Sequence, residues 1–140
     1  MVALSPAERE FFTGTNFVTL ATVRKDGSPR TVVLWVDADG DDILINGGRT
    51  REWIKNIRRE PRVALAVYDR QAPYRYVAVQ GTATEITNEG ADEHYASLRE
   101  KYRGIAPPPR PRPEGSGERP PEPRTIVRVR VDRVTSRGVS

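Results

Sequence analysis

The chain has 140 residues, which favours one compact domain spanning 1–140, and its 36% hydrophobic residues are enough for a modest core. It contains no cysteine and a single histidine, which excludes disulfides, thiolate nucleophiles and multi-histidine metal sites, so we predict no metal site. The formal net charge of +4 suggests an anionic partner.

The first part of the chain is predicted to form a helix followed by a β-hairpin. The segment Ser5-Pro6-Ala7-Glu8 combines a capping hydroxyl, a proline at the first helical position and a glutamate three residues after the cap, which predicts a helix to about Thr13. Phe17 to Val23 and Arg30 to Val36 are rich in β-branched residues. The Asp26-Gly27 pair between them favours a tight hairpin.

The next segment is predicted to contain a turn, a strand and a short helix. Asp37 to Asp42 is typical of a turn, and the strand Ile43 to Asn46 follows it, so we expect three antiparallel strands in succession. Thr50 can cap a helix that Pro61 ends. One face of this helix is apolar, with Trp53, Ile54 and Ile57.

Two further strands and a helix are predicted next. The strands run from Val63 to Tyr68 and from Tyr74 to Ile86, with Gly81 at a bulge or a close backbone contact. A helix beginning at Thr87 or Asn88 is expected to reach about Tyr102.

The C-terminal part divides into a proline-rich excursion and a closing strand. Gly104 to Pro123 holds eight of the 12 prolines, which excludes helix and central strand, so we interpret it as extended with polyproline II bias. Valines alternate with polar residues from Val127 to Asp132, which predicts a half-buried strand. Six strands joined mainly by hairpins predict a mainly β fold, an antiparallel barrel with peripheral helices, which the first and last strands could close.

The segment Asn46-Gly47-Gly48 leads from a strand into a helix and is the main candidate for a binding site. Backbone N–H groups at a helix N-terminus lack partners and favour anions, and the glycines allow close approach of a ligand. Between Arg49 and Arg62 the chain carries six basic and two acidic residues. Arg49 and Arg51 can therefore add charge-assisted hydrogen bonds to a phosphate. A tight turn followed by a solvated basic helix face is the alternative.

Several aromatic residues admit both structural and binding roles. Trp53 is typical of a core anchor, and Trp35, Tyr74 and Tyr76 suit strands. His94 is expected on a helix surface without a special role. A basic barrel could stack single-stranded nucleic acid on aromatics, but the aromatics do not alternate with the basic residues, so we expect no nucleic-acid partner.

The order of these elements resembles the pyridoxamine 5'-phosphate oxidase-like split-barrel superfamily, from Phe11 to Tyr102 and again from Thr125 to Val134. The resemblance rests on Leu20-Ala21-Thr22-Val23, Asp26-Gly27-Ser28-Pro29, Trp35-Val36-Asp37, Asn56-Ile57-Arg58-Arg59-Glu60-Pro61-Arg62-Val63, Tyr74-Arg75-Tyr76 and Gln80-Gly81. The stretches from Asn56 to Val63 and from Tyr74 to Tyr76 are most similar to the branch that uses the deazaflavin coenzyme F420, whereas the wider superfamily uses FMN.

The resemblance implies a six-stranded split β-barrel that forms a homodimer, with the cofactor in a groove between subunits. By this resemblance the backbone of Thr31, Val32 and Val33 lines the ring system and Asn46 and Gly47 flank it. Tyr76 approaches from the partner chain. The resemblance also implies that Arg51 and its neighbours bind the phosphate, so the candidate cofactor-binding residues include Arg49, Trp53 and Lys55 as well.

The chain departs from the family pattern at two positions. Glu52-Trp53 stands where the family usually has a phosphate-binding lysine, so Arg49, Arg51 or Lys55 must replace it, and Val32 replaces a common hydroxyl residue. The extra negative charges on the polyglutamate tail of coenzyme F420 suit the basic segment better than FMN does.

The predicted function is hydride transfer from reduced coenzyme F420 to a small planar or conjugated acceptor. The cofactor carries the chemistry, so we nominate no catalytic side chain. The alternatives are an FMN-dependent oxidase or reductase and a non-catalytic protein that binds a flavin or F420. No apolar run approaches the roughly 18 residues of a membrane span and the N-terminal residues do not form a secretory signal, so we expect a cytoplasmic protein with no membrane partner.

Overall fold

The computed structural model describes residues 2–105 and 122–139 of the chain, and within them three helices surround a seven-stranded sheet. The helices are α1 (Pro6–Thr13), α2 (Glu52–Arg59) and α3 (Ala91–Lys101). The strands are β1 (Val18–Val23), β2 (Pro29–Leu34), β3 (Asp37–Asp39), β4 (Asp42–Gly48), β5 (Arg62–Tyr68), β6 (Tyr76–Thr87) and β7 (Arg124–Arg137).

The sheet is antiparallel throughout, in the order β2-β1-β5-β6-β7-β4-β3, which confirms the predicted mainly β class with peripheral helices. The described chain has seven strands rather than six, because Asp37–Asp39 pairs with β4 inside the predicted turn. The expected run of three successive strands is wrong, since β4 pairs with β7 and not with β2.

The predicted pairing of the first and last strands is also wrong. The 14 residues of β7 lie between β6 and β4, whereas β1 pairs with β2 and β5, and the sheet formed by the described residues is not closed. The alternating valines explain this position: Val127, Val129 and Val131 are fully buried. A strand this long gains ladder hydrogen bonds along both edges when it lies inside the sheet.

The helix boundaries follow local chemistry at two ends and tertiary contacts at the others. Ser5 and Glu8 form the predicted capping box of α1, and α2 ends before Pro61 as expected. The N-cap of α2 is Arg51 rather than the predicted Thr50. Helix α3 begins at Ala91 rather than Thr87 or Asn88, because β6 continues to Thr87 and Gly90 adopts a left-handed conformation with φ of 74°.

The core lies between the helices and the inner face of the sheet. The apolar face predicted for α2 is confirmed, with Trp53, Ile54 and Ile57 buried against Leu20, Leu65 and other members of the core. Gly81 lies at a register shift between β6 and β7, and a Cβ there would lie 2.6 Å from the carbonyl oxygen of Arg130. This position therefore requires glycine for a close backbone contact, as predicted.

The proline-rich excursion predicted from Gly104 to Pro123 lies mostly outside the described residues. Glu122 and Pro123 are described and lead directly into β7. None of the helices in the described ranges is long and apolar enough to cross a lipid bilayer.

Candidate functional site

The turn between β4 and α2 forms a basic corner, consisting of Gly48, Arg49, Thr50 and Arg51, which we call the anion corner. The turn is closed by a 3.0 Å hydrogen bond from the Arg51 N–H to the Gly48 carbonyl. Both arginines are exposed at the positive end of the α2 dipole. The sequence-predicted phosphate residues Arg49 and Arg51 are thus brought together.

Gly47 joins this corner to the core. It is buried, and a Cβ added there would collide with the indole ring of Trp53, which is itself only 4% exposed. Trp53 therefore packs beneath the glycine that borders the corner. A direct contact of Trp53 with a cofactor stays a prediction.

A carboxylate from the C-terminal part of the chain lies in the anion corner. Glu122 Oε1 accepts a 2.9 Å hydrogen bond from the Thr50 N–H and another from the Thr50 hydroxyl. These bonds, with Arg51 and Arg124 nearby, hold the pKa of Glu122 below its usual range. The corner therefore favours an oxyanion, and it is the chain itself that provides one.

The contact with Glu122 was not predicted from the sequence. The two partners are 72 positions apart, and Glu122 belongs to a segment interpreted as a proline-rich excursion. The adjoining Pro123 carbonyl accepts a 2.9 Å hydrogen bond from the Arg49 N–H, so the entry to β7 crosses the corner.

Glu52, in the first turn of α2, is paired with two arginines. Glu52, one of the two residues in place of the family's phosphate lysine, forms ion pairs with Arg24 at 3.0 Å and with Arg30. Hydrogen bonds from Arg24 and the charge of Arg30 lower the pKa of Glu52. This pairing ties α2 to the β1–β2 hairpin and neutralises an acid next to the anion corner.

A cavity of about 350 Å³ lies beside the corner, and we call it the aromatic cavity. It brings together Val33 and Asn46, two of the predicted cofactor residues. Its walls in the described chain are Phe17, Val33, Leu34, Trp35, Asn46, Leu98 and Arg124.

Arg124 connects the cavity to the corner and was missed by the sequence analysis. Its Nε donates a 2.9 Å hydrogen bond to Asn46 Oδ1, and its guanidinium carbon lies 3.7 Å from the ring centroid of Tyr95. Burial lowers the pKa of Arg124, but an arginine remains charged at neutral pH. The only feature of the sequence that points to Arg124 is its position directly after the proline-rich segment.

The side chain of Asn46 is held by three neighbours. Its Nδ2 donates to the Ala91 carbonyl at 2.9 Å and lies 3.1 Å from His94 Nδ1, while its Oδ1 accepts from Arg124. The amide orientation is fixed by these partners, because only the nitrogen can donate to a carbonyl. Asn46 thus positions Arg124 and borders the cavity.

The expectation that His94 lies on a helix surface without a special role is wrong. Its Nδ1 accepts from Asn46, so the proton is on Nε2, which is buried and has no hydrogen-bond partner among the described residues. Burial lowers the pKa of His94, against the opposing effect of Asp37. His94 is therefore a neutral acceptor inside the Asn46 network.

The other predicted cofactor residues are spread over three elements. Thr31, Val32 and Val33 lie on β2, an edge strand whose outer backbone groups face no strand in the described chain. Lys55 is exposed on α2. Tyr76 begins β6 opposite Tyr68, near a separate surface depression.

Comparison with known proteins identifies the class. The pyridoxamine 5'-phosphate oxidase family profile matches residues 4–138, so the chain belongs to this family. None of the curated proteins compared with the sequence shows significant similarity to it. Family membership and the structural neighbours support an oxidoreductase at a coarse level.

Three solved structures illustrate the likeness. An F420 reductase is 27% identical, with a TM-score of 0.76 over 94% of this chain and 98% of that one. A conserved hypothetical protein from Mycobacterium tuberculosis is 25% identical, with a TM-score of 0.70 over 96% and 85%. General stress protein 26 from Bacillus anthracis, 17% identical with a TM-score of 0.67 over 96% and 93%, shares the fold.

Proposed function

We propose that this protein is an oxidoreductase that binds coenzyme F420 and uses it to reduce a small planar or conjugated acceptor. The observation that carries the proposal is the anion corner, where the Thr50 N–H and hydroxyl already bind a carboxylate near the charges of Arg51 and Arg124. The similarity to an F420 reductase at 27% identity supports the choice of cofactor.

The residues of the corner fit the phosphate of such a cofactor. A Cβ at Gly48 would collide with the Glu122 carboxylate, so the glycine leaves room for an oxyanion against the backbone. A phosphate that displaced Glu122 would keep the Thr50 hydrogen bond and gain Arg49 and Arg51. Each charge-assisted hydrogen bond contributes roughly 1.5–3 kcal/mol when shielded from water.

The residues of the chain would position the cofactor rather than carry out the reaction. Reduced coenzyme F420 supplies a hydride when it is bound. The outer edge of β2 offers backbone groups to a planar ring, and Val33, which is 64% exposed, offers an apolar surface next to it. Phe17 and Trp35 line the adjoining cavity and keep water from an acceptor held there.

We also propose that a second copy of the chain completes the cofactor groove and that it packs against the outer face of the sheet. Strand β5 lies inside the sheet, yet its outward residues Ala64, Ala66 and Tyr68 are exposed. Two depressions of about 390 and 380 Å³ on this face share Ala21, Ala64, Gln80 and Arg133. Small side chains on a central strand suit close packing against an identical face.

A bulky charged residue at Ala64 tests this assignment. Ala64→Arg is expected to convert a dimer to monomers in sedimentation experiments, because it places a large charged side chain in the proposed interface.

The test of the proposal is equilibrium binding of coenzyme F420 and FMN side by side. We expect F420 to bind more tightly and its affinity to fall as salt is added, because exposed charges are screened within about 8 Å at physiological ionic strength. Arg51→Ala is expected to weaken binding by up to roughly tenfold. Arg9→Ala removes the same charge from the exposed surface of α1 and serves as the matched control.

Each other outcome selects a different function. Tighter binding of FMN supports the FMN-dependent alternative. Tight binding of F420 without turnover of a broad panel of acceptors supports a non-catalytic carrier. Failure of both cofactors to bind at 100-fold excess over the protein contradicts the proposal.

A further inference from the structure

We propose that the aromatic cavity is the acceptor subsite and that it selects planar acceptors carrying a carboxylate or a similar anionic group, which Arg124 binds. This inference rests on the proposed function, because it names the substrate class of the same site. It adds a charge requirement that the fold and the cofactor do not impose.

The walls of the cavity suit a flat apolar group. Trp35 stacks on Tyr102 with centroids 5.2 Å apart and planes 6° apart, and on Tyr95 at 6.1 Å and 19°. The Tyr102 hydroxyl accepts a 3.2 Å hydrogen bond from the Val36 N–H and donates to the Asn16 carbonyl at 2.5 Å. Trp35 is therefore held in place before a ligand arrives, which lowers the entropic cost of binding.

The charge at one end of the cavity is positive. Of the seven described residues that line it, only Arg124 is charged. Asn46 Oδ1 fixes the Nε of Arg124, and the ring of Tyr95 lies against the guanidinium plane. Within residues 2–105 and 122–139 the Nη groups of Arg124 donate no hydrogen bond, and these two groups can bind a carboxylate in bidentate geometry.

The nearby Glu122 does not satisfy this arginine by a hydrogen bond in the described chain. Its carboxylate accepts from Thr50 instead, and it acts on Arg124 only through its charge. Among the described residues, Arg124 is thus a half-buried guanidinium whose two Nη groups donate no hydrogen bond, and it lies beside an apolar cavity. This combination favours a ligand that is flat at one end and anionic at the other.

The experiment measures binding of naphthalene-2-carboxylate and of its methyl ester to the cofactor-free protein by titration calorimetry. The two probes share a planar ring system and differ in charge. We expect the acid to bind about tenfold more tightly than the ester, as a charge-assisted pair predicts. In Arg124→Gln the two affinities are expected to become equal, and Arg124→Lys is expected to retain a preference for the acid.

Three controls locate the effect. Arg9→Gln loses the same charge on the surface of α1 and is expected to keep the tenfold preference. Arg51→Ala is expected to keep it as well, whereas its loss in that variant would place the acid in the anion corner and overturn the proposal. Circular dichroism and thermal melts establish that Arg124→Gln is folded, and Arg124→Lys provides the comparison if it is not.

The proposal is overturned if the wild-type protein binds both probes equally, binds neither, or keeps its preference in Arg124→Gln. Because no cofactor is present, these results are independent of the F420 and FMN titrations. Failure of cofactor binding would remove the proposed reaction but leave the anion selectivity of the cavity measurable.

Discussion

Gly47 and Gly48 are adjacent in β4, yet they border two very different regions. Gly47 lies over the indole ring of Trp53, in a core assembled from neighbouring strands and α2. Gly48 lies against the carboxylate of Glu122, which is the end of a flexible side chain. The core fixes the position of the corner, whereas the hydrogen bonds of Thr50 to Glu122 are contacts that a ligand can replace.

The largest expected effect is that of Gly47→Ala. Its methyl group would collide with Cζ2 of the buried Trp53 ring, and overpacking of this kind costs about 1–3 kcal/mol of unfolding free energy. Urea denaturation would measure it. An unchanged midpoint would show that the Trp53 ring is not packed tightly beneath the corner.

The pH dependence of stability tests the contact between His94 and Asn46, which borders the core. The pKa of His94 is lowered in the folded protein from 6.5, so below about pH 6.5 the unfolded state binds more protons and stability falls as the pH is lowered. Lys101 and Arg124 add to this lowering, and Asp37 opposes it.

Thermal melts from pH 7.5 to pH 5 would reveal this loss. His94→Gln keeps an acceptor for Asn46 but does not titrate, so its melting temperature is expected to fall less over the same range. Parallel curves for the two proteins would mean that His94 does not carry the effect.

Replacing Glu122 tests whether its carboxylate occupies the phosphate position in the anion corner. Glu122→Gln removes the negative charge that competes with a phosphate, and an exposed ion pair is worth up to about 1 kcal/mol, so cofactor affinity is expected to rise by roughly twofold to fivefold. Glu89→Gln, an exposed change of the same charge next to α3, is the control for net charge. Weaker binding in Glu122→Gln would show that the carboxylate supports the site instead of occupying it.

The smallest effect is expected for the stability of Gly48→Ala. The three atoms nearest to the added methyl group belong to the Glu122 carboxylate, the end of a flexible side chain that can move, so the unfolding free energy is expected to change by less than about 0.5 kcal/mol. The same denaturation experiment as for Gly47→Ala applies. A loss as large as that of Gly47→Ala would erase the distinction between the two regions.

The sequence predicted the elements whose causes are local. The capping box at Ser5, the turn at Gly27 and the alternating valines of β7 each depend on residues a few positions apart, and the structure contains all three. The strand order was beyond such patterns, because alternation shows which face is buried but not which strand is the neighbour.

The candidate site could be predicted only in part for the same reason. The glycines and arginines of the anion corner are contiguous in the sequence, so their likeness to an anion site is visible there. The contact of Thr50 with Glu122 spans 72 positions, and that of Asn46 with Arg124 spans 78. His94 depends on Asn46, 48 positions away, which is why it was expected on the surface.

The most direct test of the central claim is a nuclear magnetic resonance titration that follows the backbone amides of the anion corner. FMN and riboflavin differ by the phosphate, and coenzyme F420 can be compared with its dephosphorylated deazaflavin core. We predict that Gly48, Thr50 and Arg51 shift with the phosphorylated ligands and not with the others. Binding of phosphorylated ligands that leaves these three amides unmoved would contradict the account.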